Sequence, residues 1–171
     1  TPGDVTGETI TFTLTVTPNP TLSGVVPSDA EVCHGTSISI TANGLLDGLS
    51  DFNYTITGTG PGLPITATAS GVNVAGGTYT FPGAVYAVGT YNITINSITV
   101  NGCTTVLSAG NTAIFTVHPS PVGVLTADSP VCYDAFPQLT FTASIGTGPF
   151  DLEINGVPYA DVLSGVPFEA D

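Results

Sequence analysis

Alternation of apolar and polar residues with a period of two dominates the chain. In Glu8-Thr9-Ile10-Thr11-Phe12-Thr13-Leu14-Thr15-Val16 the side chains of Ile10, Phe12, Leu14 and Val16 fall on one face of an extended backbone and threonine hydroxyls on the other, which predicts a half-buried strand over residues 8 to 17. Similar runs predict strands at Ser37 to Ala42, with Ile38, Ile40 and Ala42 inward, and at residues 52–56, 78–81, 91–95, 114–117, 139–143 and 150–154. Between Ile95 and Ile98 the phase slips by one, which predicts a bulge or a strand end. Gly and Pro punctuate the runs at fairly regular spacing, as in short sandwich strands. Asn155-Gly156, set between Leu152-Glu153-Ile154 and Val157-Pro158-Tyr159, is a type I′ hairpin signal because both central residues need positive φ. No segment carries a 3.6-residue apolar stripe of useful length, so the expected fold class is all-β.

The chain repeats itself with a period near 100 residues. Leu14-Thr15-Val16-Thr17-Pro18-Asn19-Pro20 matches Phe115-Thr116-Val117-His118-Pro119-Ser120-Pro121 at an offset of 101. Val32-Cys33 matches Val131-Cys132 at 99, and Ile38-Ser39-Ile40-Thr41-Ala42 matches Leu139-Thr140-Phe141-Thr142-Ala143 at 101. The domain layout that follows is the last strand of one repeat (residues 1–19), a complete repeat (20–119) and the first half of a third (120–171). The Pro-x-Pro segments at Pro18 to Pro20 and Pro119 to Pro121 are the joints, short and stiff because Pro fixes φ and biases its predecessor to extended geometry.

Composition narrows the function classes. The chain has 171 residues, 42% of them apolar, enough for a core. It has no Lys or Arg against 13 Asp and Glu, a formal charge of −13. Nucleic acid is therefore not an expected partner, because phosphate binding depends on cationic side chains, and neither are anionic lipid headgroups. Lys Schiff bases, arginine clamps and Lys to Asn isopeptide crosslinks are ruled out with them. Charged residues total only 8%, so the surface must be mostly Thr, Ser, Asn and Gly. No apolar run is long enough to span a membrane, and no signal peptide precedes Thr1, which reads as a processed or internal piece of something longer.

Candidate chemistry is sparse. Cys33 precedes the first core strand of the complete repeat and Cys103 follows the Asn101-Gly102 turn; a disulfide between them would close a loop of about 70 residues and contribute roughly 4 kcal/mol. Cys132 is the counterpart of Cys33, and its partner is expected about 100 residues beyond Cys103, outside this chain. Cys33-His34 has a competing reading as a thiol and base dyad or half a metal site, but adjacent residues in an extended segment point to opposite faces and no CxxC or HxxxH companion exists. His34 and His118 are the only bases near neutral pH, and neither has a Ser or Asp at a motif spacing, so no enzyme is expected. Asp29, Glu31 and Asp128 lie near the joints, and Asp47 and Asp51 flank Gly48 in a loop. Calcium takes oxygen ligands from such loops, so the conditional expectation is calcium near a joint through Asp29, Glu31 or Asp128, against the plainer reading of solvated carboxylates. Asn53-Tyr54-Thr55 and Asn92-Ile93-Thr94 are glycosylation sequons, both inside predicted strands.

Ser129-Pro130-Val131-Cys132, Leu139 to Ala143, Gly146-Thr147-Gly148-Pro149-Phe150, Ile154-Asn155-Gly156 and Ser164-Gly165-Val166-Pro167-Phe168, with Val88-Gly89-Thr90-Tyr91 and Asn101-Gly102-Cys103 closing the preceding repeat, resemble the PKD-like and Ig-like repeats of very large secreted proteins from Bacteroidota. The resemblance covers nearly the whole chain. The complete repeat departs from it at Thr59-Gly60-Pro61-Gly62-Leu63-Pro64, where the Gly-Thr-Gly-Pro element is displaced. Such arrays occur in cell-surface adhesins exported by the type IX secretion system, including SprB-type gliding-motility adhesins. The resemblance therefore implies tandem Ig-like or PKD-like β-sandwiches at the outer surface of a bacterial cell, acting as a disulfide-stabilised stalk or filament in adhesion and gliding. Neighbouring repeats of the same polypeptide are the implied partners. Two alternatives remain: a glycan- or protein-binding module using loops at one end of each sandwich, disfavoured by the absence of Trp, and a noncovalent filament in which residues 8 to 17 complete another chain's half-repeat by strand addition.

Overall fold

The computed structural model describes residues 11–130, 132 and 136–169, and among them every regular element is a strand. In chain order these are β1 (Gly24–Pro27), β2 (Glu31–Cys33), β3 (Ser37–Asn43), β4 (Gly48–Gly58), β5 (Ile65–Val74), β6 (Thr78–Val85), β7 (Gly89–Val100), β8 (Cys103–Val106), β9 (Thr112–His118), β10 (Val122–Ala127), β11 (Gln138–Ile145), β12 (Phe150–Ile154), β13 (Val157–Val162) and β14 (Pro167–Glu169). A three-stranded sheet β1-β3-β6 and a six-stranded sheet β2-β9-β7-β4-β5, with β8 also on β7, share one core in a β-sandwich-like arrangement. Ile38, Ile40 and Ala42 enter it from one side and Phe52, Ile93, Ile95, Phe115 and Val117 from the other, the period-two faces of β3, β4, β7 and β9. A second, smaller core gathers Phe141, Phe150 and Val162 from the strands after residue 121.

The phase slip in β7 is a bulge. Asn53 opposes Ser97 while Tyr54 opposes Ile95, leaving Asn96 as the extra residue; its amide donates to Asn53 Oδ1 and Thr55 Oγ1 at 3.1 and 2.8 Å. Ile95 and Ile98 both face the core as a result. Asn101 and Asn155 have φ of 49° and 53°, each followed by a positive-φ glycine, so both Asn-Gly pairs form tight hairpins, β7–β8 and β12–β13. With no Lys or Arg, the outer faces are laced by threonine: Thr41 with Thr80, Thr99 with Thr104 and Thr90 with Thr116 bond across strands at 2.9, 2.8 and 3.3 Å.

The strand expected over residues 8 to 17 is corrected in part. Residues 8–10 lie outside the described segment, and residues 11–20 form no strand. Phe12, Leu14 and Val16 are 87%, 80% and 82% exposed, whereas their offset counterparts Ala113, Phe115 and Val117 are buried in β9. β9 has β7 on one side and β2 on the other; residues 11–17 have no neighbouring strand to take up their backbone hydrogen bonds.

Candidate functional site

The chemistry-bearing side chains collect where the first sandwich ends and the Pro119-Ser120-Pro121 joint begins. β2 runs parallel to the end of β9, with Glu31 opposite Thr116 and Cys33 opposite His118. Glu31 and Cys33, two residues apart on an extended strand, share a face. Glu31 Oε2 lies 3.6 Å from His118 Nε2, an ion pair when His118 is protonated and, at this exposure, worth at most about 1 kcal/mol. His34 is held by its backbone: its N–H donates to the His118 carbonyl at 2.8 Å and its carbonyl accepts from Ser120 Oγ at 3.3 Å. Glu31, Cys33, His118, Pro119 and Pro121 line a cleft of about 460 Å³ together with Gly146 and Thr147.

The expected disulfide is overturned. Cys33, Cys103 and Cys132 are free thiols, and strand register shows why the first two do not meet. Cys33 aligns with His118, one step past Val117, which opposes Gly89 at the start of β7; Cys103 opposes Val100 at its end. The two cysteines are thus at opposite ends of the sheet, about 36 Å apart along β7 at roughly 3.3 Å per residue, where a disulfide needs Cα atoms within about 7 Å. Cys132 is exposed, and Val131 and Tyr133 beside it lie outside the described residues.

The calcium candidates sit at three places near the joint and the connections around it. Asp29 is exposed between β1 and β2, Glu31 faces His118, and Asp128 accepts a hydrogen bond from the Gln138 N–H at 2.7 Å, closing the β10–β11 connection. Among the described residues no group of three or more His, Cys, Asp and Glu side chains is arranged to hold a metal ion. Asp47 and Asp51 do something the sequence reading missed: each bonds a loop or bulge amide, Asp47 that of Gly77 at 2.7 Å and Asp51 that of Gly71 at 2.6 Å. An Asp facing a Gly-containing turn was the available signal. Of the sequon residues, Asn53 stands in β4 and Asn92 in β7.

The tyrosines lie mostly in ring clusters. Tyr54 and Tyr79 pack with Phe52 and Phe81, Tyr86 and Tyr91 with Phe115, and Tyr159 with Phe168. The sequence matches no protein-family model, and no curated protein matches it.

Proposed function

We propose that the chain is a structural segment of a tandem-repeat cell-surface adhesin or filament, a stalk that transmits force between a cell and what it holds, with no chemistry of its own. The observation carrying this reading is the path of the backbone. The chain comes into the first sandwich at Ser23, whose N–H bonds the Asn43 carbonyl, and Gly110 lies beside Ser23. From there β9 runs about 20 Å over its seven residues along the first half of β7, and leaves at His118 into the Pro-x-Pro joint. A unit that takes the chain in at one end and releases it at the other suits an extended row.

Two further observations support it. β10 pairs with β11 in the antiparallel manner of β1 with β3, and β10 and β11 start 98 and 101 residues after β1 and β3, while β11 takes β14 on its other side as β3 takes β6. The exposed apolar face of Phe12, Leu14 and Val16 suits a strand completed by a preceding unit. The stalk is read without the internal disulfide. An antibody raised against the chain should label intact cells of the source, with the label lost after mild external proteolysis; signal only after lysis would sink the surface assignment.

A further inference from the structure

A cavity of about 210 Å³ opens between the two sheets of the first sandwich, on the side where β5 and β6 are the outermost strands. Those two edges approach each other only loosely, for reasons visible in the sequence. The inward positions there are Ala69 on β5 and Ala84 on β6, where neighbouring positions carry rings, and β6 is kinked beside Pro82 by a register shift opposite Ile38 and Ile40. Small side chains on two diverging edges leave a gap that the aromatic groups around it frame without filling. Tyr54 and Phe81, packed edge to face at 5.6 Å, form one wall, and Tyr86, packed on Tyr91 at 4.9 Å, forms the other. Ile40 and Ile95 are the floor.

We propose that this slot is a binding site for a small uncharged ring compound bearing a hydroxyl group, of the size of cyclohexanol or phenol. The volume suits it, since a cavity of about 150 Å³ walled by apolar side chains already takes benzene. No charged side chain lines the slot, so an ion would leave water without compensation. The polar handles are phenolic: among the described residues the Tyr54 and Tyr86 hydroxyls have no hydrogen-bond partner, whereas Tyr91 donates to the Ala87 carbonyl at 2.8 Å. Tyr54 and Tyr86 both line the slot, and burial first, then the neighbouring Tyr54 and Tyr91, holds the Tyr86 phenol above its usual range. One ligand hydroxyl meets that group while the ring meets the isoleucines. A saccharide fits poorly, because its several hydroxyls would face Ile and Phe unpaired.

The chain contains no Trp, so tyrosine supplies its emission and reports on the slot directly. Titration of the purified chain with cyclohexanol, which does not absorb in the tyrosine range, should give a saturable emission change at millimolar concentration. Ala84→Leu, which fills the slot, should weaken binding at least tenfold with the circular dichroism unchanged; should it not fold, the milder Ala69→Val provides the same test. Tyr86→Phe keeps the ring and should weaken cyclohexanol severalfold. A linear, unsaturable response, equal affinity in the filled variant, or equally tight binding of methyl glucoside would each overturn the proposal.

Discussion

Phe115 and Leu14 occupy the same place in the sequence repeat and opposite environments in the fold, so truncating each to Ala separates pattern from packing. Phe115 is 1% exposed, stacked on Tyr91 at 5.2 Å and 11° and meeting Tyr86 edge to face at 5.0 Å. Removing a fully buried Phe costs about 3–5 kcal/mol, and the two ring pairs, each worth about 0.5–1.5 kcal/mol beyond burial, place Phe115→Ala in the upper part of that range. Since a domain this size is stable by about 5–15 kcal/mol, the variant should lose much of its margin. Leu14, four-fifths exposed, should cost within about 0.5 kcal/mol as Ala. Urea unfolding followed by tyrosine emission measures both, with midpoints compared at constant slope. Phe115→Ala within about 1 kcal/mol of the parent chain, or Leu14→Ala equally damaging, would refute the assignment of β9 to the core and of residues 11–17 to the surface.

Other expected outcomes follow from single contacts. Ser50 is 2% exposed and its Oγ has no hydrogen-bond partner, so Ser50→Ala should leave stability unchanged or raise it by up to about 1 kcal/mol in thermal melts; a clear loss would reveal a partner. Gly58, at φ 145° with the Thr90 carbonyl where a Cβ would stand, should not tolerate Ala, and Gly58→Ala should lower the melting temperature by several degrees. The Tyr86 phenol is raised by burial, so its contribution to stability is complete below the unfolded value of about 10 and is lost as pH climbs through the raised one. Alkaline unfolding should accordingly move to higher pH in Tyr86→Phe, and an unshifted transition would mean that Tyr86 stays solvated.

The strands legible in advance were those whose alternating side chains are large: β3, β9, β11, the Phe52 to Ile56 part of β4, the Thr78 to Phe81 part of β6, the Tyr91 to Ile95 part of β7, and β12 with its Asn-Gly turn. β5 escaped because its inner face carries Ala67 and Ala69, an alternation too weak in hydrophobicity to stand out, and β8 because four residues hung on a hairpin show little period. Residues 11–17 had the strongest pattern and form no strand, since periodicity reports suitability for a half-buried sheet while the strand itself needs a neighbour. The cysteine pairing failed for a related reason. Spacing along the chain says that Cys33 recurs at Cys132 with the repeat but not that β2 meets the end of β9 while β8 meets the end of β7.

Stretching single molecules that hold residues 20–119 between handles at their two ends tests the stalk reading most directly. Force enters at β1 and leaves by β9, and about 100 residues at about 3.5 Å each, less the folded length, should be released in one step of roughly 300 Å, at the same length with and without reductant because Cys33 and Cys103 are unbonded. Extension without a discrete rupture would contradict a force-transmitting unit, and steps that lengthen on reduction would contradict the register that separates the two cysteines.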